Sequence, residues 1–176
     1  MTAARLTYAT AAQFIQEFGQ EETCHLLRDE LPLLTEELLQ EALEGKFSDG
    51  RSEEEQQQAI AAAKRLDDAI IEAANWMDGY LMSAAPLPLT AQQIAAAPIK
   101  TCCLELTRCQ LMDDDDNATE GTEKRCKRWI SWLRDVANRT VRLVAEQKGS
   151  GGVMSGKLSS AYNWDAFDRG QWGRRK

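Results

Sequence analysis

The sequence predicts an all-α protein: a small helical bundle with one long central helix and an extended C-terminal tail. Three observations carry that expectation. Alanine, leucine, glutamate and glutamine are abundant while aromatics make up only 7% of the 176 residues, a composition that favours helix over sheet. Three capping boxes mark helix starts: Thr10-Ala11-Ala12-Gln13, Ser52-Glu53-Glu54-Glu55 and Thr90-Ala91-Gln92-Gln93. In each, the hydroxyl oxygen can accept from the backbone N–H three residues on while the Gln or Glu reaches back. Finally, Ile60, Ala63, Leu66, Ile70, Ala73, Met77 and Tyr80 recur at intervals of three or four, which stacks them on one helix face and makes that face the expected core side.

Taken in order, the first box opens a short helix carrying Phe14, Ile15 and Phe18 and stopping at Gly19. Glu21 to Glu30 forms a second helix before Pro32, and Leu33 to Leu43 a third, ended by Gly45 and the polar loop Ser48 to Arg51. The long helix runs from Ser52 and ends ahead of Pro86, where Pro86-Leu87-Pro88-Leu89 is expected to be an extended connector. Its many alanines let neighbouring helices approach closely. A short helix follows Thr90. Pro98 either closes it or opens the next, which buries Ile99, Cys102, Cys103 and Leu106. The acidic run Asp113 to Asn117 reads as a solvated loop, because consecutive aspartates lack the alternating ligands, glycine and later glutamate of a calcium loop. Thr122 to Val144 is the last helical stretch, with Cys126, Trp129, Ile130, Leu133, Val136 and Ala137 on one face and Asn138 as a candidate C-cap. Trp129 and Trp132 read as core or rim packing. A basic helix with aromatics also suits nucleic-acid stacking, but the acidic remainder and the lack of a recognisable binding module argue against it.

One domain is expected over residues 1–148, with a flexible tail over 149–176 that begins Gly-Ser-Gly-Gly. The tail carries large aromatics among basic residues. Chains that stay disordered are poor in aromatics, so Tyr162, Trp164, Phe167, Arg169, Trp172, Arg174 and Arg175 form a candidate docking peptide for a partner. Folding back onto the bundle is the alternative. Charge is divided along the chain: residues 1–118 hold 8 Lys+Arg and 22 Asp+Glu, giving -14, and residues 119–176 hold 13 and 6, giving +7. A solvated acidic face explains this without a partner. Head-to-tail association, basic part of one copy against acidic part of the next, explains it with one.

Catalytic and cofactor sites are not expected. The five cysteines include no Cys-x-x-Cys pair, and the single histidine, His25, cannot complete a common zinc set. All five are expected to be reduced and metal-free, with Cys102, Cys103 and Cys109 acting as small buried hydrophobes. Gly151 to Lys157 has the spacing of a phosphate-binding loop, but Leu158 stands where Ser or Thr would bind magnesium, and no strand precedes it. No apolar run approaches the ~20 residues that span a bilayer, and the first residues lack the features of a secretory signal. No membrane partner and a cytosolic location are therefore expected.

A family resemblance spans residues 8 to 143. It rests on Tyr8-Ala9-Thr10 with Phe14 and Phe18-Gly19, on Ala69-Ile70 with Asp78-Gly79-Tyr80-Leu81 and Pro86-Leu87-Pro88-Leu89, and on Pro98, Arg125, Trp129 to Leu133 and Val141-Arg142-Leu143. In these the chain resembles the phage Mu-like proteins grouped with head-tail connectors, or adaptors, of tailed phages. The resemblance implies a non-catalytic virion protein of the neck, forming a ring beneath the portal and joining it to the next neck or tail-completion protein. It further implies self-association with the portal's twelvefold symmetry, a C-terminal segment that reaches along the portal protein, and room for passing contact with DNA in the channel. Another neck or tail-completion protein of similar build, or a helical protein-binding module, is the alternative.

Overall fold

A computed structural model describes residues 7–28, 34–112 and 120–143, and among them it contains seven helices and no strand. The fold is all-α. Its axis is α4 (Glu53–Leu81), 29 residues and about 43 Å long at 1.5 Å per residue. Against it pack α1 (Ala11–Phe18), α2 (Gln20–Leu27), α3 (Glu36–Glu44), α6 (Ile99–Leu111) and α7 (Glu120–Ala137), while α5 (Ala91–Ala96) packs on α6. These helices share one core, in which Phe14, Leu38, Leu66, Met77, Leu106 and Leu133 are fully buried.

All three capping boxes form. Ser52 Oγ accepts from Glu55 N at 3.2 Å while Glu55 Oε2 accepts from Ser52 N at 2.8 Å, and the Thr10–Gln13 and Thr90–Gln93 boxes repeat the arrangement. Each such cap stabilises its helix by about 1 kcal/mol. Thr35 caps α3 through Leu38 N, and α3 ends at Gly45 in the left-handed conformation, where glycine alone meets no Cβ penalty. The α3–α4 loop is held by Arg51, whose Nε donates to Glu41 at 3.1 Å while Ser48 Oγ donates to the same carboxylate at 2.6 Å.

Several expectations are corrected. The buried face of α4 comprises Ala59, Ala62, Leu66, Ala69, Ile70, Ala73, Ala74, Met77 and Leu81, so its first half is turned by one residue from the expected Ile60 and Ala63, and Tyr80 is only half-buried. Small side chains at 59 and 62 let α3 close on α4 with Leu38 and Leu39 buried between them; a branched isoleucine there would hold the helices apart. Ile60 consequently faces water. Residues 86–89 are bent instead of extended, with a cis Leu87–Pro88 bond, an isomer that proline alone makes readily accessible, and Leu89 is turned into the core. Pro98 occupies the N-cap of α6. The last helix ends at Ala137, well before Val144: Thr140 N bonds to Asp135 O and Arg139 N to Val136 O, both at 2.9 Å, the paired bonds of a Schellman termination. Asn138 is the cap, but the left-handed residue is Arg139, at φ 59°. Its guanidinium donates to Ser83 O at 3.2 Å, and Ser83 Oγ donates to Ala137 O at 3.1 Å, so the ends of α4 and α7 are pinned together.

The expectation of five reduced cysteines is also overturned. Cys109 and Cys126 form a disulfide, because α6 and α7 lie side by side and bring their Cα atoms to 6.1 Å, within the range a disulfide spans. Cys24, Cys102 and Cys103 are free and buried, as expected for Cys102 and Cys103, whereas Cys109, expected to be a small buried hydrophobe, is half-buried in the disulfide. The acidic stretch Asp113 to Asn117, the phosphate-loop spacing at Gly151 to Lys157 and the tail all lie outside the described residues.

Candidate interaction surfaces

The described residues present helix faces that carry exposed charged and apolar side chains. On α7 the apolar side, with Leu133 and Val136 buried, turns every basic residue outward: Lys124, Arg125, Lys127, Arg128 and Arg134 are all exposed. Two are engaged within the helix, Lys124 with Glu120 at 2.6 Å and Lys127 with Glu123 at 2.8 Å, the i,i+4 spacing that stabilises exposed helices by a few tenths of a kcal/mol. Arg125, Arg128 and Arg134 form no ion pair among the described residues. Trp129 and Trp132 meet edge-on with centroids 5.8 Å apart. Both are half-buried, the rim packing their spacing predicts.

The outer face of α4 carries what the sequence reading missed. Ile60, Ile71 and Met82 are 53%, 46% and 69% exposed. They are spaced eleven residues apart, three turns plus about 20°, so they form one line along the helix. Asp67 and Asp68 flank the line and are exposed. The signal was available: a helix face assigned by the 59/62/66 spacing instead of 60/63/66 leaves Ile60 outside and makes the eleven-residue line visible.

A groove of about 650 Å³ runs between α4, α6 and α7 and is lined by Glu72, Trp76, Leu106, Gln110, Ile130 and the disulfide. Trp76 packs edge-on against Tyr80 at 5.8 Å and closes one wall. Nearby, Arg108 joins α6 to α1 and α2 through an ion pair with Glu22 at 2.5 Å and a guanidinium 5.0 Å above the Phe18 ring, a cation–π arrangement. The hydroxyl of Tyr8 donates to Asp78 and fastens the N-terminal segment to α4.

The acidic half of the charge division has a local structural role as well. Glu36 and Glu37 sit in the first turn of α3, and Glu53, Glu54 and Glu55 in that of α4, where the helix dipole favours negative charge. Arg51 holds the Glu41 carboxyl below the usual carboxylate range, with Ser48 adding to the effect. Burial pushes the thiols of Cys102 and Cys103 up, Cys103 to about 12, so neither is a thiolate near neutral pH. Among the described residues no three His, Cys, Asp or Glu side chains are grouped to hold a metal ion, and no helix is long and apolar enough to cross a membrane. His25 is exposed in the last turn of α2. The candidate docking residues Tyr162, Trp164, Phe167, Arg169, Trp172, Arg174 and Arg175 lie outside the described residues.

These features define an all-helical protein with oppositely charged and partly apolar outer faces. Residues 8–156 match the family model described as Bacteriophage Mu, Gp36, and the chain belongs to that family. It is therefore a phage protein, of the structural or morphogenetic kind. The match begins at the same Tyr8 as the resemblance read from the residues and continues to residue 156, past its end at Leu143. No curated protein matches the chain.

Proposed function

We propose that this protein is a head-tail connector, or adaptor, of a tailed phage: copies join in a ring that attaches to the portal and carries the next neck or tail component. The observation that carries the reading is the family match over residues 8–156, most of a chain whose described part is a rigidly capped helical bundle. Two further features support it. The exposed basic face of α7 and the acid-flanked line on α4 give one subunit two different faces for its neighbours. The tail, with Tyr162, Trp164, Phe167, Arg169, Trp172, Arg174 and Arg175, supplies the residue types that dominate interface energetics. A segment that orders on binding loses entropy, and repetition around a twelvefold ring offsets that loss through avidity.

Co-purification tests the reading. Full-length protein is expected to retain the portal protein of its phage, and a chain ending at residue 149 is expected to fold with the same helical circular dichroism per described helix but lose the portal. Undiminished retention by the shortened chain removes the tail from the account. Retention of a different neck protein, with no portal, replaces the adaptor reading by that of a tail-completion protein.

A further inference from the structure

The Ile60–Ile71–Met82 line and the groove against α6 and α7 lie on neighbouring sides of α4. From Ile71 to Trp76 is five residues, about 140° around the helix, and Trp76 lines the groove against α6 and α7. Asp78, seven residues from Ile71 and so nearly in line with it, receives the Tyr8 hydroxyl. The Ile60–Ile71–Met82 line thus runs between the N-terminal segment and the groove, whose lining begins at Asn75 about 40° from Ile71, and the α7 of the same chain lies across that groove with Leu133 and Val136 in the core. One chain cannot lay its own α7 on that line, whereas a neighbouring copy can, and a contact between two unlike faces propagates from copy to copy instead of stopping at a dimer.

The faces also match in charge. On α4, Asp67 and Asp68 fall on opposite sides of Ile71, and on α7, Arg128 and Arg134 fall on opposite sides of Ser131, each roughly 40–60° from it around the helix. All six side chains are exposed. Lys64 lies in the α4 line as well and is the cation that an incoming helix must tolerate. We infer that the α4 line of one copy, with Asp67 and Asp68 around Ile71, seats the exposed basic face of α7 of the next copy, with Arg128 and Arg134 around Ser131. This rests on the ring reading given above and deepens it by naming the two faces and their register.

Charge reversal tests it. Full-length wild type is expected to self-associate in sedimentation velocity at low ionic strength, and Asp67→Arg with Asp68→Arg, or Arg128→Glu with Arg134→Glu, should each weaken association by roughly tenfold or more. Mixing the two reversed chains should restore it, because each α4 face then meets an α7 face of opposite sign. A chain carrying Ile71→Cys and Ser131→Cys should give, on mild oxidation, a ladder of trimers and larger species, while either single substitution stops at dimers. If wild type associates but the reversals leave association unchanged and no ladder forms, the two faces are wrong and the ring reading stands. If wild type remains monomeric in every condition and no ladder forms, the ring reading falls with them.

Discussion

Cys103 shows how much of the chemistry of this chain is set by position rather than residue type. Its thiol is buried, its Sγ lies 3.9 Å from Ile70 O, and burial drives its pKa up to about 12; Cys24 and Cys102 are shifted in the same direction for the same first reason. Cys109 and Cys126 are joined to each other. Alkylation at pH 8 followed by mass measurement is therefore expected to label no cysteine in the folded protein, three after unfolding without reductant, and five after unfolding with it. Labelling of four or five without reductant would show that the disulfide is absent. At this scale the sequence was legible wherever the determinant is local. The capping residues Thr10, Ser52 and Thr90 could be read because their partners are three residues away. The disulfide could not, because its two sulfurs are brought together by the packing of α6 on α7, and Arg139 could not be recognised as the left-handed residue because Asn138 beside it has the stronger intrinsic preference.

At the scale of elements, α4 gives the sharpest contrast. Met77 is fully buried and Met82, five residues on, is 69% exposed. Met77→Ala is expected to lower stability by about 2–5 kcal/mol through lost burial and the cavity left behind, and Met82→Ala by no more than about 0.5 kcal/mol; urea denaturation distinguishes them. The α3–α4 loop gives a pH prediction. Arg51 depresses the folded pKa of Glu41, so the contact stabilises above the ordinary carboxylate pKa and is lost as pH falls through the lower, folded value. Glu41→Gln should be less stable than wild type at neutral pH, with the difference shrinking in acid as wild type protonates. A gap that stays constant down to pH 3 would mean the carboxylate charge is not involved. The helix order was legible, but the orientation of α4 was legible only in its second half. In an alanine-rich helix two adjacent faces satisfy the same 3.6-residue spacing, and only the fit against α3 selects 59 and 62 over 60 and 63.

For the whole molecule, the described part of the charge division puts acidic residues in the first turns of α3 and α4 and beside Ile71 on α4, and exposed arginines on α7. Family membership makes this a phage protein, and a subunit with two unlike faces is suited to closed rings or filaments instead of symmetric dimers. The basic face was legible in the sequence because α7 has a clean apolar side. Its counterpart was not, since the 60/63/66 spacing assigns Ile60 to the core. Cryo-electron microscopy of the neck of the phage particle decides whether this protein is the proposed ring-forming adaptor at the portal. The expected image is a ring of subunits under the portal, each fitted by the long α4 with α3 and α6 packed on it, and with α7 of one subunit against the α4 line of the next. Density for this bundle elsewhere in the particle, or a neck whose subunits cannot accommodate it, would contradict it.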